Sequence, residues 1–266
     1  AVDLVVDVPH RTLGPALRLE RAITDASRDL GLPVIYAFPN GQSSGLFRRL
    51  GYHFLGHLQR WTKPLSTLDF IRTHFKGLPA PRLAAFLLDS GLRLAACEWP
   101  RRRATRIRTA VLETFDHRFD DLWLRAAVRF PIIGDRSSAY LRWRFAECPS
   151  QVYSAFTLLD AQDQLQAYLV FSHQNGRIVI ADLLASSPRA LRILLREFSS
   201  RMRHGALALS LTYSGPAWVR RTLRRAGFWP TGSEGAIMIW RGATAAHRPY
   251  LLHADNWHLT EADRDA

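Results

Sequence analysis

The sequence predicts an α/β protein, with mixed sheets flanked by helices, in which one strand–helix pattern occurs twice. Short runs rich in Val, Ile and Leu alternate with longer runs of helical periodicity. Hydrophobic residues make up 47% of the 266 residues, which is enough for an extended core. A shift of 176 residues carries the order of elements in the first part of the chain onto the second, for example Gly51 onto Gly227.

The first half is predicted to run strand, helix, strand, helix, strand. Strands are expected over residues 2–8, 33–39 and 53–65, and a short helix closed by Gly51 precedes the last of them. A longer helix over 16–30 has its Arg, Glu and Asp residues opposite an apolar stripe, which consists of Leu17, Leu19, Ile23, Ala26 and Leu30. This alternation favours a largely parallel sheet.

The second half is predicted to contain two helices, a pair of hairpins and two further strand–helix units. An Asn-Gly pair at 175–176 is a strong hairpin signal. The predicted helices cover 119–130, 137–148, 188–205 and 217–228, and the predicted strands cover 152–160, 164–172, 177–185, 206–214 and 235–242. We therefore divide the chain into a first domain over 1–66, a helical connector over 67–109 and a second domain over 110–266.

Charge, hydropathy and the number of cysteines limit the classes of protein to which this chain could belong. The formal net charge is +13, supplied mostly by arginine, which suits nucleotides, phosphates, nucleic acid or a membrane surface; an arginine-rich genome composition would give the same excess. The sequence contains no run of about 18 uncharged apolar residues, so no membrane span is predicted. Cys97 and Cys148 do not make a disulfide framework, which favours a reducing compartment, the cytoplasm. His53 and His57 lie in a strand pattern, so no metal site is expected.

Two motifs stand in order along the first half. The run Arg11-Thr12-Leu13-Gly14-Pro15-Ala16 lies between a predicted strand and a predicted helix. The second motif is Asn40 followed by a short helix that ends at Gly51-Tyr52. Backbone N–H groups at a helix start bind phosphates, and small residues let the backbone approach them closely. The spacing of the first motif therefore suits a phosphate-binding turn between a strand and a helix.

In these two motifs the chain resembles the GCN5-related N-acetyltransferase (GNAT) superfamily. It is similar to bacterial members with two such domains in tandem, with the first domain incomplete and N-terminally truncated. The resemblance implies transfer of an acetyl or other acyl group from acyl-CoA, the co-substrate, to a small-molecule or peptide amine. It also implies that CoA contacts the following residues: Val8, Arg11, Thr12, Leu13, Gly14, Pro15, Ala16, Asn40 and Phe47.

The resemblance also implies a catalytic acid and base. The position seven residues beyond Asn40, where the family often has a proton-donating Tyr, is Phe47, which cannot donate a proton. Tyr36 and Tyr52 are the candidate substitutes, and Asp7 is the candidate base.

The second half departs from the first motif. The shift of 176 places Ser187, Ala190 and Arg192 where Arg11, Gly14 and Ala16 stand, and the Arg would crowd a phosphate. A structural or acceptor-binding role is expected for this half. Three alternatives to an acyltransferase remain open: a non-catalytic scaffold of the same fold, an aminoacyl transferase of the peptidoglycan type, and a nucleic-acid binder. The absence of a recognised nucleic-acid motif argues against the last.

Overall fold

The structure is a computed structural model, and it describes residues 6–10, 13–66, 83–84, 87–88, 90–91, 107–203, 205–245 and 248–264. Residues 2–5 of the first predicted strand and nearly all of the predicted connector lie outside this set. The prediction of that strand is wrong at its end, because Val6 and Asp7 have no regular structure and Val8–His10 forms a 3-10 turn.

The described residues of the first half form two α-helices and two strands. Helix α1 spans Leu13–Asp29, strand β1 Val34–Ala37, helix α2 Ser44–Arg49 and strand β2 His53–Pro64. These agree with the expected elements apart from the earlier start of α1.

The second half begins with a strand that the sequence did not predict, β3 at Arg108–Leu112, which starts in the last two residues of the expected connector. The remaining elements follow the predicted order, with two short strands added. They are α3 (His117–Ala127), β4 (Ile132–Ile133), α4 (Ser138–Leu141) continued by a π-helical turn (Arg142–Ala146), β5 (Ser154–Leu159), β6 (Leu165–Gln174), β7 (Arg177–Ala185), α5 (Pro188–Met202), β8 (Ala208–Tyr213), α6 (Ala217–Arg225), β9 (Trp229–Arg241) and β10 (Trp257–His258).

Eight strands form one mixed sheet in the order β1-β9-β2-β8-β7-β6-β5-β3, and β4 pairs separately with β10. The sheet is not largely parallel: β7 and β8 are the one parallel pair among its described strands. The first-half prediction failed because β9, more than 160 residues away, inserts between β1 and β2 and runs antiparallel to both.

The two halves exchange their last strands. Strand β9 lies between β1 and β2, and β2 lies between β9 and β8, so each long strand completes the sheet of the other half. The short helices that precede these strands end alike. Gly51 has φ +83° and Gly227 has φ +87°, and the Tyr52 and Phe228 N–H groups donate back to Phe47 O and Leu223 O, both at 3.0 Å.

Two smaller cores cover the opposite faces of the sheet near β1. Tyr36 and Ile239 are register partners and pack with the segment around Trp257. Their neighbours Ala37 and Met238 face the other way and pack with α2. The main core surrounds β5–β8 and includes α3, α5 and α6.

Helix α1 buries a different side from the one that the sequence predicted. Leu19, Ile23 and Leu30 are exposed at 50%, 40% and 75%. The buried side chains are instead polar and repeat at i, i+4 and i+7: Glu20, Thr24 and Ser27. The buried and exposed stripes are one residue out of step, so periodicity alone could not tell which one faces the sheet.

Candidate functional site

The first turn of α1 presents its amino-terminal end to solvent. Gly14 is exposed, and the first turn contains no acidic side chain. The helix dipole gives this end a partial positive charge, which attracts anions. Arg11 and Thr12, which precede the helix, lie outside the described residues. Leu13, Gly14, Pro15 and Ala16 all belong to the helix itself, so the predicted diphosphate motif extends into its first turn.

Asn40 organises the turn that leads into α2. Its side-chain Oδ1 accepts the Ser43 N–H at 2.9 Å and the Gln42 N–H at 3.0 Å. The Ser43 hydroxyl in turn accepts the Asn40 N–H at 3.1 Å. Asn40 is exposed, and these bonds fix the start of the short helix.

Phe47 and Tyr52 are brought together beneath α2. Both are 4% exposed, and their ring centroids lie 4.9 Å apart at an interplanar angle of 85°. The Tyr52 hydroxyl has no hydrogen-bond partner among the described residues. Burial, with the nearby charge of Glu20, raises the pKa of Tyr52. As placed, this phenol keeps its proton more firmly than an exposed tyrosine does.

The sequence predicted that Glu20 would lie on the solvent side of α1, but the structure buries it. It is 0% exposed, and neither carboxyl oxygen has a hydrogen-bond partner among the described residues. Burial raises the pKa of Glu20. The signal that could have found it is the polar stripe that it forms with Thr24 and Ser27.

The other two catalytic candidates lie apart from Tyr52. Asp7 is exposed, and its carboxylate accepts the Val8 N–H at 2.8 Å. Tyr36 faces the opposite side of the sheet from Tyr52 and makes edge contacts with Phe38 and Trp257, with centroids at 5.7 and 6.1 Å. Tyr36 and Tyr52 therefore do not form one constellation.

The corresponding helix start in the second half is already occupied. The Ser187 side chain caps α5 by accepting the Ala190 N–H at 3.1 Å. Ala190 is 7% exposed, whereas its counterpart Gly14 is exposed. A capped amide beside a buried side chain leaves little room for a phosphate.

The crevice beside that helix is also filled. Ligands of open α/β sheets bind where the carboxyl ends of neighbouring parallel strands separate. Strands β7 and β8 pair only as far as Ile180 and Leu211 and then diverge. Beyond that point, Leu259 exchanges two backbone hydrogen bonds with Ser214, at 2.9 and 3.0 Å. Segment 257–263 thus occupies the space beside the diverging strands.

His258 bridges the divergent strands. Its Nε2 lies 3.0 Å from Leu183 O on β7, and its Nδ1 lies 3.2 Å from the Tyr213 hydroxyl on β8. Burial, with the positive charge of Arg136, lowers the pKa of His258 to about 4. The ring is therefore neutral at pH 7. Because a carbonyl can only accept, Nε2–H donates to Leu183 and Nδ1 accepts from Tyr213.

A buried ionic network fastens the same segment. Arg136 is 0% exposed, and its Nε lies 3.1 Å from both carboxylate oxygens of Asp182, while its Nη2 lies 2.6 Å from Asp263. Thr260 and Tyr168 donate to Asp182 at 2.7 and 2.8 Å. Burial alone would lower the pKa of Arg136, but the two carboxylates raise it above its ordinary value.

Other classes of site are not seen in the described part of the chain. It contains no group of three or more His, Cys, Asp or Glu side chains arranged to hold a metal ion. None of its helices is long and apolar enough to cross a membrane. Cys148 is a free thiol, and Cys97 lies outside the described residues.

Solved structures share this architecture. A GCN5-related N-acetyltransferase from Anabaena variabilis matches with a TM-score of 0.60 and 15% identity, over 87% of this chain and 51% of that one. A conserved protein of unknown function from Enterococcus faecalis, described as a probable N-acyltransferase, matches with a TM-score of 0.62 and 10% identity, over 90% and 52%. Eis1 from Mycobacterium abscessus matches with a TM-score of 0.56 and 13% identity, over 94% and 57%.

This chain therefore spans about half the length of the proteins that it matches. No protein-family model and no curated protein matches the sequence. At these identities the comparison establishes a shared fold, as the two sequence motifs had predicted.

Proposed function

We propose that this chain, which has the fold of the GCN5-related N-acetyltransferases, is part of an acyl-CoA-dependent N-acyltransferase that holds the donor at the start of α1. The observation that carries the proposal is the difference between the two helix starts. Gly14 is exposed in a first turn without acidic residues, whereas Ser187 caps its own helix and Ala190 is buried. One helix start suits a diphosphate and the other does not.

The donor site would be built mostly from backbone. Amides at Gly14 and Ala16 would face the diphosphate, and Arg11 would add positive charge. Pro15 has no N–H to offer, but its fixed φ stiffens the turn. Val8, Thr12, Leu13, Asn40 and Phe47 complete the proposed contacts; the last two act by shaping α2.

The proposed reaction is direct attack of an amine on the thioester. The nitrogen bonds to the acyl carbon, the carbon–sulfur bond breaks, and the thiolate takes up a proton while the amine loses one. Asp7 is the proposed base because it is exposed and precedes the first motif closely in the sequence. Tyr36 is preferred to Tyr52 as the proposed acid, because Tyr52 is buried and its raised pKa disfavours proton release.

Calorimetric titration with acetyl-CoA, followed by thiol-release assays with a panel of amines, tests this proposal. The protein should be assayed with its full natural chain. Binding together with amine-dependent release of CoA is the expected result. If acetyl-CoA does not bind, the proposal is wrong.

A second candidate is a binding protein that keeps the donor site without turnover. Phe47 favours it, because this position lacks a proton-donating hydroxyl and is closed off by Tyr52. Acetyl-CoA binding without thiol release from any amine would select this alternative.

A further inference from the structure

Among the described helices, two neighbours, α5 and α6, carry the largest excess of positive charge. Helices α5 and α6 carry eight arginines and a single glutamate, in 15 and 9 residues respectively. By contrast, α1 has three arginines and three acidic residues, and α3 has two arginines and two aspartates. A genome-wide bias toward arginine would not separate the elements in this way.

The arginines share the outer sides of both helices. The inner side of α5 carries Leu191, Leu194 and Phe198, and that of α6 carries Val219 and Leu223, all 0% exposed. Helical spacing directs most of the arginines away from these buried side chains. Arg201 lies three positions after Phe198 and is exposed in the last turn of α5. We call this outer surface the arginine face; its exposed members are Arg189, Arg192, Arg201, Arg221, Arg224 and Arg225.

These six arginines have no carboxylate partner among the described residues. The two remaining arginines of the helices are paired, Arg196 with Glu197 at 2.8 Å and Arg220 with Asp255 at 2.6 Å. Like charges three or four positions apart on a helix destabilise it. The arginine face therefore carries repulsion that a bound polyanion would relieve.

We propose that the arginine face binds nucleic acid through its phosphate backbone. Stable docking on a lipid surface needs apolar side chains that insert, and neither helix exposes a large hydrophobic residue. Neither helix exposes an aromatic ring for base stacking either, so binding is electrostatic and independent of sequence. Binding of this kind needs only clustered positive charge. The absence of a recognised nucleic-acid motif in the sequence therefore does not argue against it.

Fluorescence anisotropy with a labelled 20-base-pair DNA duplex tests the proposal at several salt concentrations. Six phosphate contacts predict a slope of log affinity against log salt of about −5, or a loss of about 10³-fold between 50 and 200 mM salt. The variant R192Q/R221Q/R225Q should make the slope shallower by about 3 and weaken binding at 100 mM salt by at least about tenfold. It leaves Arg224 in place because that side chain lies over the Trp61 ring, 5.7 Å from its centroid.

The matched control is R129Q/R142Q/R177Q, which removes the same charge from exposed positions outside the two helices. We expect it to weaken binding less than about threefold. Equal loss in both triple variants, or no duplex binding at 50 mM salt, would overturn the proposal. Tighter binding to vesicles that contain one quarter phosphatidylglycerol than to the duplex would overturn it in favour of a membrane. The assay needs no acyl-CoA, so its outcome is independent of the acyltransferase proposal.

Discussion

The two halves of the molecule share one plan but differ at the start of the long helix. In each half a long helix, a strand, a short helix and a long exchanged strand follow one another, and the short helices end with the same glycine conformation. In the second half, segment 257–263 enters the crevice between β7 and β8 and is held there by Arg136 and His258. In the first half the helix start stays exposed at Gly14. A duplicated fold can thus keep its scaffold in both copies while only one copy leaves the start of its long helix exposed.

The largest expected effect separates the two helix starts. Gly14→Glu places a negative side chain where the diphosphate is proposed to lie, and should weaken acetyl-CoA binding by about 100-fold or more. Arg189→Glu likewise places a negative side chain in the first turn of α5 and should leave acetyl-CoA binding unchanged. Both substitutions are compatible with helix starts, where acidic residues are favoured. Calorimetry on both variants checks this, and equal losses would contradict it.

Removal of the buried cation should strongly destabilise the second half. Arg136→Ala leaves the carboxylates of Asp182 and Asp263 buried without their partner, so the free energy of unfolding should fall by about 3–5 kcal/mol. Arg118→Ala breaks ion pairs with half-exposed Asp116 and Asp163 and should cost about 1 kcal/mol or less. Urea denaturation measures both. A similar cost for the two variants would mean that the network does not fasten the segment.

Lowering the pH should reduce the stability of the folded protein, because His258 is buried in its neutral form. Its pKa is about 4 in the folded protein and near 6.5 when exposed, so the unfolded chain binds a proton first as pH falls. Stability should therefore decrease from pH 6.5 to pH 4, by about 3 kcal/mol in total from this group. His258→Gln should remove that part of the pH dependence, whereas the exposed His253→Gln should retain it. Denaturation at a series of pH values tests the difference.

Matched substitutions at the two helix ends should have equal effects. Gly51→Ala and Gly227→Ala force a side chain into a left-handed conformation and should each lower stability by about 1 kcal/mol. Gly232→Ala, in open space on β9, provides the control. A clear inequality between the first two would argue that the repeat is less regular than the backbone indicates.

Glu20 should give the first half a smaller pH dependence of opposite sign to that of His258. Burial raises the pKa of this acid in the folded state, so the folded chain binds more protons than the unfolded one. Stability should therefore rise as pH falls toward the acidic range, since the buried carboxyl becomes neutral. Glu20→Gln should abolish this rise. If the variant keeps it, another group is responsible.

The sequence predicted local features well and long-range packing poorly. Turn and cap signals such as Asn175-Gly176 and Pro188 located the hairpin and α5 because they act within a few residues. The domain boundaries at 66 and 109 stay a prediction, although β3 begins at Arg108 and pairs with β5. Nothing local shows that β9 inserts between β1 and β2, since the partners are far apart in the chain.

The candidate site shows the same division. The motif 11–16 was visible because its residue types and spacing suit a helix start. The burial of Glu20 was not visible, because it depends on how α1 rotates against the sheet. The role of segment 257–263 was hidden as well: Arg136 meets Asp182 and Asp263 only after the chain folds, 46 and 127 residues away.

Hydrogen–deuterium exchange with and without acetyl-CoA tests the central claim most directly, because it reports both helix starts at once. Slower exchange is expected for amides over 13–19, with no change over 186–192 and 257–263. Protection of the second-half segments, or bound acetyl-CoA that leaves 13–19 unprotected, would contradict it.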